Sequence, residues 1–340
     1  MGAEAMWWEP VVAVAIFPGV LTAILLAFFY QWFDRRVAAR MQNRYGPIYV
    51  GKWGLLQPIA DFVKLMTKQD ITPKGAVRPV FTAVPIIYFA LVLYLFFYIP
   101  ITGITGLVSF QGDLLLFFAV TTFEVLFTTL GGWSSRSPYS QVGGIRGALQ
   151  LLGYETPLEL ALLLPAVLTG SFRIADIVEY QVARGVPLAG PLLIAFILAF
   201  IGLQAEMERL PFDVPEAETE IVAGWLTEYS GKKLALLRLA ADIKFVVSAG
   251  LIVALFLGGP YPLVCELPPM SPWLETIVLT AIFLAKLTAV IFVFTWLKVV
   301  MARFRIDQVL HVCWTFLVPL AVLQLVLVYG YLTLAPFLGW

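Results

Sequence analysis

The sequence predicts an all-α polytopic membrane protein with about eight transmembrane helices, amphipathic surface helices and one large acidic cytoplasmic loop. Of its 340 residues, 61% are apolar and only 13% are charged, and the mean hydropathy is +0.90. Soluble globular chains are about half apolar and about a quarter charged. A third observation is a series of apolar runs, each close to the roughly 20 residues that cross a bilayer as a helix. Together these features exclude a soluble enzyme, a disordered chain and a nucleic-acid-binding protein.

The apolar runs follow one another along the whole chain, so we expect a single integral membrane domain over residues 1–340. The eight expected spans are residues 11–32, 79–101, 114–131, 148–169, 190–207, 234–258, 275–298 and 313–335. The first run has no basic stretch before it and no small-residue cleavage site after it. We therefore interpret it as a transmembrane helix and not as a signal peptide.

The basic residues predict the orientation of these spans. Of 22 Lys and Arg residues, 17 fall in the loops after the odd-numbered spans, and only Arg173 and Arg184 fall in the opposite loops. The positive-inside rule then makes the odd loops cytoplasmic and puts both termini outside. We expect a multi-pass protein of the cell membrane, with a surface helix near 173–184 on the outer side.

The first long cytoplasmic loop, residues 33–78, contains an amphipathic stretch at Trp53–Met66. Asp61 and Lys64 are three residues apart and therefore share one face of this helix. One interpretation is a basic helix at the membrane surface with ordinary anchoring residues. In the other, Arg44, Asp61 and Lys64 line a polar mouth; their spacing is compatible with both.

The second long loop, residues 205–233, is rich in carboxylates. Its seven acids are Glu206, Glu208, Asp213, Glu216, Glu218, Glu220 and Glu228, and only Arg209 offsets them before Lys232. Asp213 is placed to cap a helix beginning at Pro215, with Glu216 completing a capping box. Crowded or buried carboxyl groups raise one another's pKa and can exchange protons near neutral pH. The alternative is a solvated acidic loop, but the interleaved apolar residues favour a packed one.

Further ionisable residues fall inside the expected spans, where they are costly and usually face a cavity or a partner. They are Glu124, Glu155, Glu159, Arg238, Asp242, Lys244 and Lys286. Glu155 and Glu159 share one helix face. These groups are interpreted either as a proton path or as internal ion pairs, such as Glu155 with Lys244 or Arg238. Lys286 is alone in its span and is expected to reach toward the membrane surface.

The segment after the seventh span carries Arg303, Arg305 and Asp307. The two arginines are expected either to hold carboxylates of the acidic loop or to act as plain positive anchors. Two cysteines, Cys265 and Cys313, and the single histidine His311 are too few for a metal or cluster site. We predict no catalytic residue, no metal and no cofactor on this chain itself.

These segments together resemble the membrane subunit of respiratory complex I that forms the quinone chamber, a family that energy-converting membrane-bound hydrogenases share. The matching pieces, in the family's order, are Arg44-Tyr-Gly-Pro, Gly54-Leu-Leu-Gln-Pro-Ile-Ala-Asp61, Gly132-Trp-Ser-Ser, Tyr154-Glu155, Pro211-Phe-Asp-Val-Pro-Glu-Ala-Glu218, Glu228-Tyr-Ser-Gly231 and Arg303-Phe-Arg-Ile-Asp-Gln308. The resemblance implies eight spans and a cytoplasmic face docked on a peripheral module. It also implies that carboxylates of the acidic loop and Glu155 start a charged path toward antiporter-like subunits.

One departure bears on the partners. Complex I members tend to read Glu-Thr-Asn-Arg-Ala-Pro-Phe-Asp where this chain reads Glu206-Met-Glu-Arg-Leu-Pro-Phe-Asp213. This form is more similar to archaeal membrane-bound hydrogenase and sulfane reductase complexes, which take electrons from ferredoxin. The leading interpretation is therefore a coupling subunit linking a hydrogenase-like module to H⁺ or Na⁺ translocation. Its expected partners are large and small peripheral subunits with iron–sulfur clusters, and in some complexes a nickel–iron centre, together with other membrane subunits.

Two alternatives are carried with it. The first is the quinone-chamber subunit of a complex I-type NADH or other quinone oxidoreductase. The second, from another class, is a stand-alone secondary ion transporter, to which buried Glu and Lys residues are also suited. The charged residues concentrate on one membrane face, which favours a docked coupling subunit over a transporter.

Overall fold

The computed structural model describes residues 9–263 and 270–338, and all regular structure within these ranges is helical. Cys265 and the two chain ends lie outside the described residues. The helices in chain order are α1 (Glu9–Ala15), α2 (Val20–Met41), α3 (Gln57–Thr67), α4 (Arg78–Phe96), α5 (Asp113–Ser135), α6 (Pro138–Thr169), α7 (Ile174–Arg184), α8 (Leu193–Glu206), α9 (Glu218–Ile221), α10 (Gly231–Leu257), α11 (Pro272–Val300), α12 (Ile306–Val312) and α13 (Val318–Leu338).

Seven of these helical segments are long and apolar enough to cross a membrane: α1 with α2, then α4, α5, α6, α10, α11, and α12 with α13. The expected polytopic fold is therefore confirmed. The fifth expected span, residues 190–207, is present as the shorter α8. Its 14 residues extend over about 21 Å at 1.5 Å per residue, less than the roughly 30 Å of a bilayer core.

Helix α10 lies at the centre of the bundle. It packs against α2, α3, α4, α7, α8 and α11, and 20 of its 27 residues are buried. A helix that is buried on nearly all sides belongs to the interior of a bundle. Polar side chains on α10 therefore face other helices and not lipid, which makes α10 the element that positions the site.

Two amphipathic helices lie at opposite ends of the bundle. Helix α3 begins with Pro58 in its first turn, as the sequence predicts, and packs on α2 and α10. Helix α7 buries one face, including Ile177 and Gln181, against the end of α10. We call the end that carries the acidic loop the acidic-loop side and the end that carries α7 the opposite side.

Lys286 does not extend toward the membrane surface, contrary to the expectation from its isolation. Its ammonium group donates to the backbone carbonyls of Leu257, Gly259 and Tyr261, at 2.6, 2.9 and 2.6 Å. The last carbonyls of a helix have no intrahelical donor. Lys286 therefore caps the carboxyl end of α10 from α11.

Candidate functional site: a charged chamber beneath the acidic loop

The acidic loop closes over a cavity of about 390 Å³, which we call the chamber. Helices α2, α4, α5 and α10 form its walls, and the loop itself forms its roof. Its charged lining residues are Arg35, Glu124, Glu206, Glu208, Arg209, Glu216, Glu218, Arg238, Asp242 and Lys244. Gln31, Tyr88, Thr128 and Trp225 add uncharged polar groups.

A three-residue ion cluster lies at the base of the chamber. The Lys244 ammonium group is 2.7 Å from a carboxylate oxygen of Glu124 and 3.3 Å from one of Glu206. All three side chains are buried, and Glu124 is fully enclosed. The cluster joins α5, α8 and α10 at one point. The expected pairs of Glu155 with Lys244 or Arg238 are not formed, because Glu124 and Glu206 lie closer to the lysine.

Two arginines fix the acids of the roof. Arg238 on α10 lies 3.2 Å from Glu216, and Arg146 on α6 pairs with Glu220. Glu216 and Glu220 therefore turn toward different helices. Burial raises the pKa of Glu216, and Arg238 opposes this shift. The hydrogen bond from Arg146 lowers the pKa of the exposed Glu220. Glu216 and Glu220 therefore have different proton affinities.

Glu208 is the acid of the roof that is best suited to exchange a proton near neutral pH. Burial and the neighbouring Glu216 raise the pKa of Glu208 to about 8, against the pull of Lys244. The indole N–H of Trp225 donates to its carboxylate at 3.4 Å. Burial and Glu216 also raise the pKa of Asp213 to about 6. The roof thus contains carboxyl groups that change charge in the physiological range.

The predicted capping box at Asp213 is wrong. No helix begins at Pro215; the loop's short helix α9 begins at Glu218, without a side-chain cap. The intervening chain is held by packing, since Phe212 lies against Phe304 and the amide of Phe304 donates to the carbonyl of Pro211 at 3.0 Å. Burial of apolar side chains therefore overrides the local capping signal.

The roof approaches the bundle closely at a glycine. A Cβ atom at Gly143 on α6 would lie 2.5 Å from the amide nitrogen of Trp225. Real Cβ atoms do not come so close, so only glycine permits this contact. It seats Trp225 against α6, from which the indole reaches Glu208 and lines the chamber.

A second cavity, of about 210 Å³, adjoins the chamber beside α3. It shares with the chamber the residues Gln31, Arg35, Arg238 and Asp242. Asp61 and Lys64 line it, at 3.8 Å from each other, while the closest partner of Asp61 is Arg35 at 2.7 Å. Burial acts to raise the pKa of Asp61, but the hydrogen bonds from Arg35 and Gln57 outweigh it and lower the pKa. A polar path therefore leads from α3 into the chamber.

A buried aspartate that sequence reasoning did not single out supports this path. Asp34 on α2 is 2.9 Å from Lys298, 3.5 Å from Arg209, and accepts a hydrogen bond from Thr295 at 2.8 Å. Arg209 in turn lies over the ring of Phe245, 3.5 Å from its centre. The available signal was Gln31 and Arg35, four residues apart and so on one helix face, beside an acid at the end of an apolar run.

The structure brings together most of the acids singled out from the sequence, but not all. The predicted residues that line the chamber are Glu124, Glu206, Glu208, Arg209, Glu216, Glu218, Asp242 and Lys244. Arg44 lines a separate basic cavity with Arg35 and Lys298. Glu155 and Glu159 line a narrow crevice that also reaches Glu206, and Glu155 accepts a hydrogen bond from Thr122 at 2.6 Å. Glu228 is half-buried and lines none of these cavities.

The arginines after α11 do not bind the acids as expected. Arg303 donates to the hydroxyl of Thr219 at 3.2 Å, not to a carboxylate. The backbone N–H of Arg305 is held by the side chain of Gln308 at the start of α12. Asp307 lies exposed in the first turn of α12, where an acid stabilises a helix. The arginine that does hold an acid of the loop is Arg146, which sequence reasoning did not single out.

The fold and the chamber define a multi-pass membrane protein whose charged groups concentrate in and around one internal cavity under an acidic loop. The profile of the family described as NADH dehydrogenase matches residues 13–329, and the chain belongs to this family. A second-copy H subunit of the NADH-quinone oxidoreductase of Syntrophobacter fumaroxidans is 39% identical over 312 residues, which cover 89% of this chain and 90% of the relative. The H subunit of the same oxidoreductase in a Geobacillus species is 37% identical over 322 residues, with 94% and 93% covered. That of Rubrobacter xylanophilus is 40% identical over 300 residues, with 87% and 88% covered.

These comparisons confirm the family that the motifs resemble. The relatives are bacterial NADH-quinone oxidoreductase subunits, so they favour the quinone-linked alternative over the hydrogenase-linked leading interpretation. The particular likeness to archaeal hydrogenase complexes receives no support from them.

Proposed function

We propose that this chain is the quinone-chamber subunit of a complex I-type NADH–quinone oxidoreductase. In this proposal a quinone enters beside α3 and its headgroup lies in the chamber, while the electrons come from a peripheral module docked on the acidic-loop side. The chain then supplies the binding cavity and the proton-exchanging groups, and the iron–sulfur clusters belong to partner subunits.

The observation that carries this proposal is the continuity of the two cavities. The smaller one opens beside the amphipathic α3 and shares Arg35 and Asp242 with the chamber. Its wall on the α3 side includes Phe28, Phe62 and Leu65, which suit an apolar tail. The chamber beyond is polar and charged, which suits a headgroup with carbonyl oxygens.

The charged groups of the chamber support a coupling role. Reduction of a quinone takes up protons as well as electrons, so the chamber must supply protons and respond to the change in charge. Glu208 and Asp213 in the roof have raised pKa values, and the Lys244 cluster lies directly below. We propose that the acids of the roof deliver or sense these protons and that the cluster passes the change toward Glu155 and Glu159. From there it would drive H⁺ or Na⁺ translocation in neighbouring membrane subunits.

A ferredoxin-linked complex is the second candidate, and one observation favours it. Position 208 is Glu, where complex I members tend to have Asn. Glu208 also has a positive φ of 52°, a conformation in which Asn is favoured. This substitution places one more carboxyl group in the chamber. The stand-alone transporter is not proposed further, because the family is that of a multi-subunit oxidoreductase. We also propose that the acidic-loop side is cytoplasmic and that both termini are outside.

The proposal is tested on the intact complex, purified in mild detergent through a tag on this chain. Quinone reduction is measured with NADH and with reduced ferredoxin as donors, and nickel is measured in the same preparation. We expect quinone reduction with NADH, and a photoreactive quinone that labels α3 and the roof. Asp61→Asn should raise the KM for quinone severalfold without lowering kcat equally, because Arg35 loses its partner at the entry. Lys74→Gln, a basic-to-neutral change outside both cavities, is the control.

Two results would overturn the proposal. Stoichiometric nickel with hydrogen production, and no quinone reduction from either donor, would return the hydrogenase-linked interpretation. Quinone reduction that proceeds with ferredoxin and not with NADH would keep the quinone chamber but replace the donor module.

A further inference from the structure

A different cavity, also of about 390 Å³, lies on the opposite side of the bundle, away from the acidic loop. It is bounded by α7, by the segment that joins α7 to α8, and by α13. Its lining is mostly apolar and includes Leu168, Leu188, Leu192, Leu327 and Val328. It shares no lining residue with the chamber.

The cavity exists because α8 is short. Helix α8 begins only at Leu193, and the chain before it covers the remaining depth as a loop. The polar backbone of this loop is satisfied by the protein: the amide of Ala189 donates to the carbonyl of Phe256 at 3.0 Å, and Gln181 accepts from the amide of Leu188 at 3.2 Å. Such non-helical backbone is tolerated at membrane depth where protein satisfies it. The space beside the loop is left without a helix to fill it.

The rim of the cavity is polar and carries one cation. The Arg184 guanidinium lies over the ring of Tyr180, 4.5 Å from its centre, and Tyr331 stands across the opening. Tyrosines of this kind are typical of the headgroup level of a membrane. Among the described residues Arg184 has no salt-bridge partner, whereas Arg173 pairs with Asp176 at 3.5 Å.

We propose that this cavity binds a phospholipid of the surrounding leaflet, with an acyl chain along the apolar wall and its phosphate on Arg184. An alkyl chain matches the apolar lining. A guanidinium held at headgroup level matches a phosphate, which it can bind through parallel hydrogen bonds. A transmembrane helix of a partner is about 10 Å across and is too wide for such a cavity. The site is independent of the function proposed for the chamber.

The test uses the intact complex, reconstituted into phosphatidylethanolamine–phosphatidylglycerol vesicles. They contain a trace of phosphatidylglycerol with a diazirine near the end of one acyl chain. After irradiation, labelled peptides are mapped by mass spectrometry. Leu327→Trp fills the cavity, and Val326→Trp puts the same bulk on the exposed neighbouring position, which does not line it. Arg184→Gln removes the cation, and Lys232→Gln removes an exposed one on the acidic-loop side.

We expect labelling of the 188–192 segment and of α13 around Val328 in the natural protein and in both controls. Labelling should fall about tenfold or more in Leu327→Trp and in Arg184→Gln, since each removes one half of the match. A diacylglycerol probe of the same chain length, which lacks the phosphate, should label weakly.

Equal labelling of Leu327→Trp and Val326→Trp would overturn the proposed site. Equal labelling by the diacylglycerol probe, together with no loss in Arg184→Gln, would overturn the phosphate contact. A long-chain quinone probe that outcompetes the phospholipid here would also overturn the proposal. None of these results depends on quinone reduction, so the proposal fails or stands separately from that of the chamber.

Discussion

Replacing Lys244 by methionine should destabilise the bundle strongly, because it leaves two carboxylates buried without their cation. At an effective dielectric constant of about 20, Coulomb's law gives about 6 kcal/mol for its 2.7 Å pair with Glu124 and about 5 kcal/mol for its 3.3 Å pair with Glu206. Desolvation of the three groups offsets much of this attraction. Breaking a buried pair on one side typically costs about 3–5 kcal/mol, equivalent to a hundredfold or larger shift in an equilibrium.

The comparison that isolates the charge is the double variant Lys244→Met with Glu124→Gln. With all three groups ionised, the cluster carries one net negative charge, Lys244→Met alone gives two, and the double variant restores one. We expect the thermal midpoint of the purified complex to fall in the single variant and to recover largely in the double variant. Coupled ion pumping should stay low in both, because the proton-exchanging cluster is lost.

Two results would refute this reasoning. A single variant as stable as the natural protein would mean that the carboxylates are neutral or hydrated without Lys244. Full pumping by the double variant would mean that the cluster is structural and takes no part in coupling.

Three further perturbations test other parts of the fold. Because the pKa of Glu208 is raised from 4.5 to about 8, the folded chain holds a proton that the unfolded chain releases, and stability falls as pH rises across that interval. Glu208→Gln should therefore flatten the change in thermal midpoint between pH 6 and pH 8; an unchanged slope would contradict the assignment. Asp34→Asn leaves Arg209 and Lys298 without their shared anion and should lower the thermal midpoint by the equivalent of about 3–5 kcal/mol; a midpoint equal to that of the natural protein would argue against the pairing. Lys286→Met removes the donor to three carbonyls and should speed amide hydrogen exchange at the end of α10, at a loss of about 1–3 kcal/mol; unchanged exchange there would exclude the capping role.

The helices and the family were predictable from the sequence because length, hydropathy and ordered motifs carry that information along the chain. The partners of each buried charge were not, because pairing depends on which helices meet. Lys244 has Asp242 two residues away in sequence, yet it pairs with Glu124 and Glu206 from two other helices. Asp34 was missed for the same reason, since its nearest partner is 264 positions later. The capping signal at Asp213 was local and failed because burial of Phe212 determines the path of the loop.

The pairing of Asp34 with Lys298 has a consequence for how the protein is made. The two residues are separated by 264 positions, and a chain is synthesised at about 5–20 residues per second, so their appearance differs by roughly 13–50 s. During that interval the first helix carries an acid whose partners have not yet been translated. The first span therefore cannot take its final place in the nascent bundle. A ribosome stalled before α11 would leave a chain in which the floor of the chamber is still open.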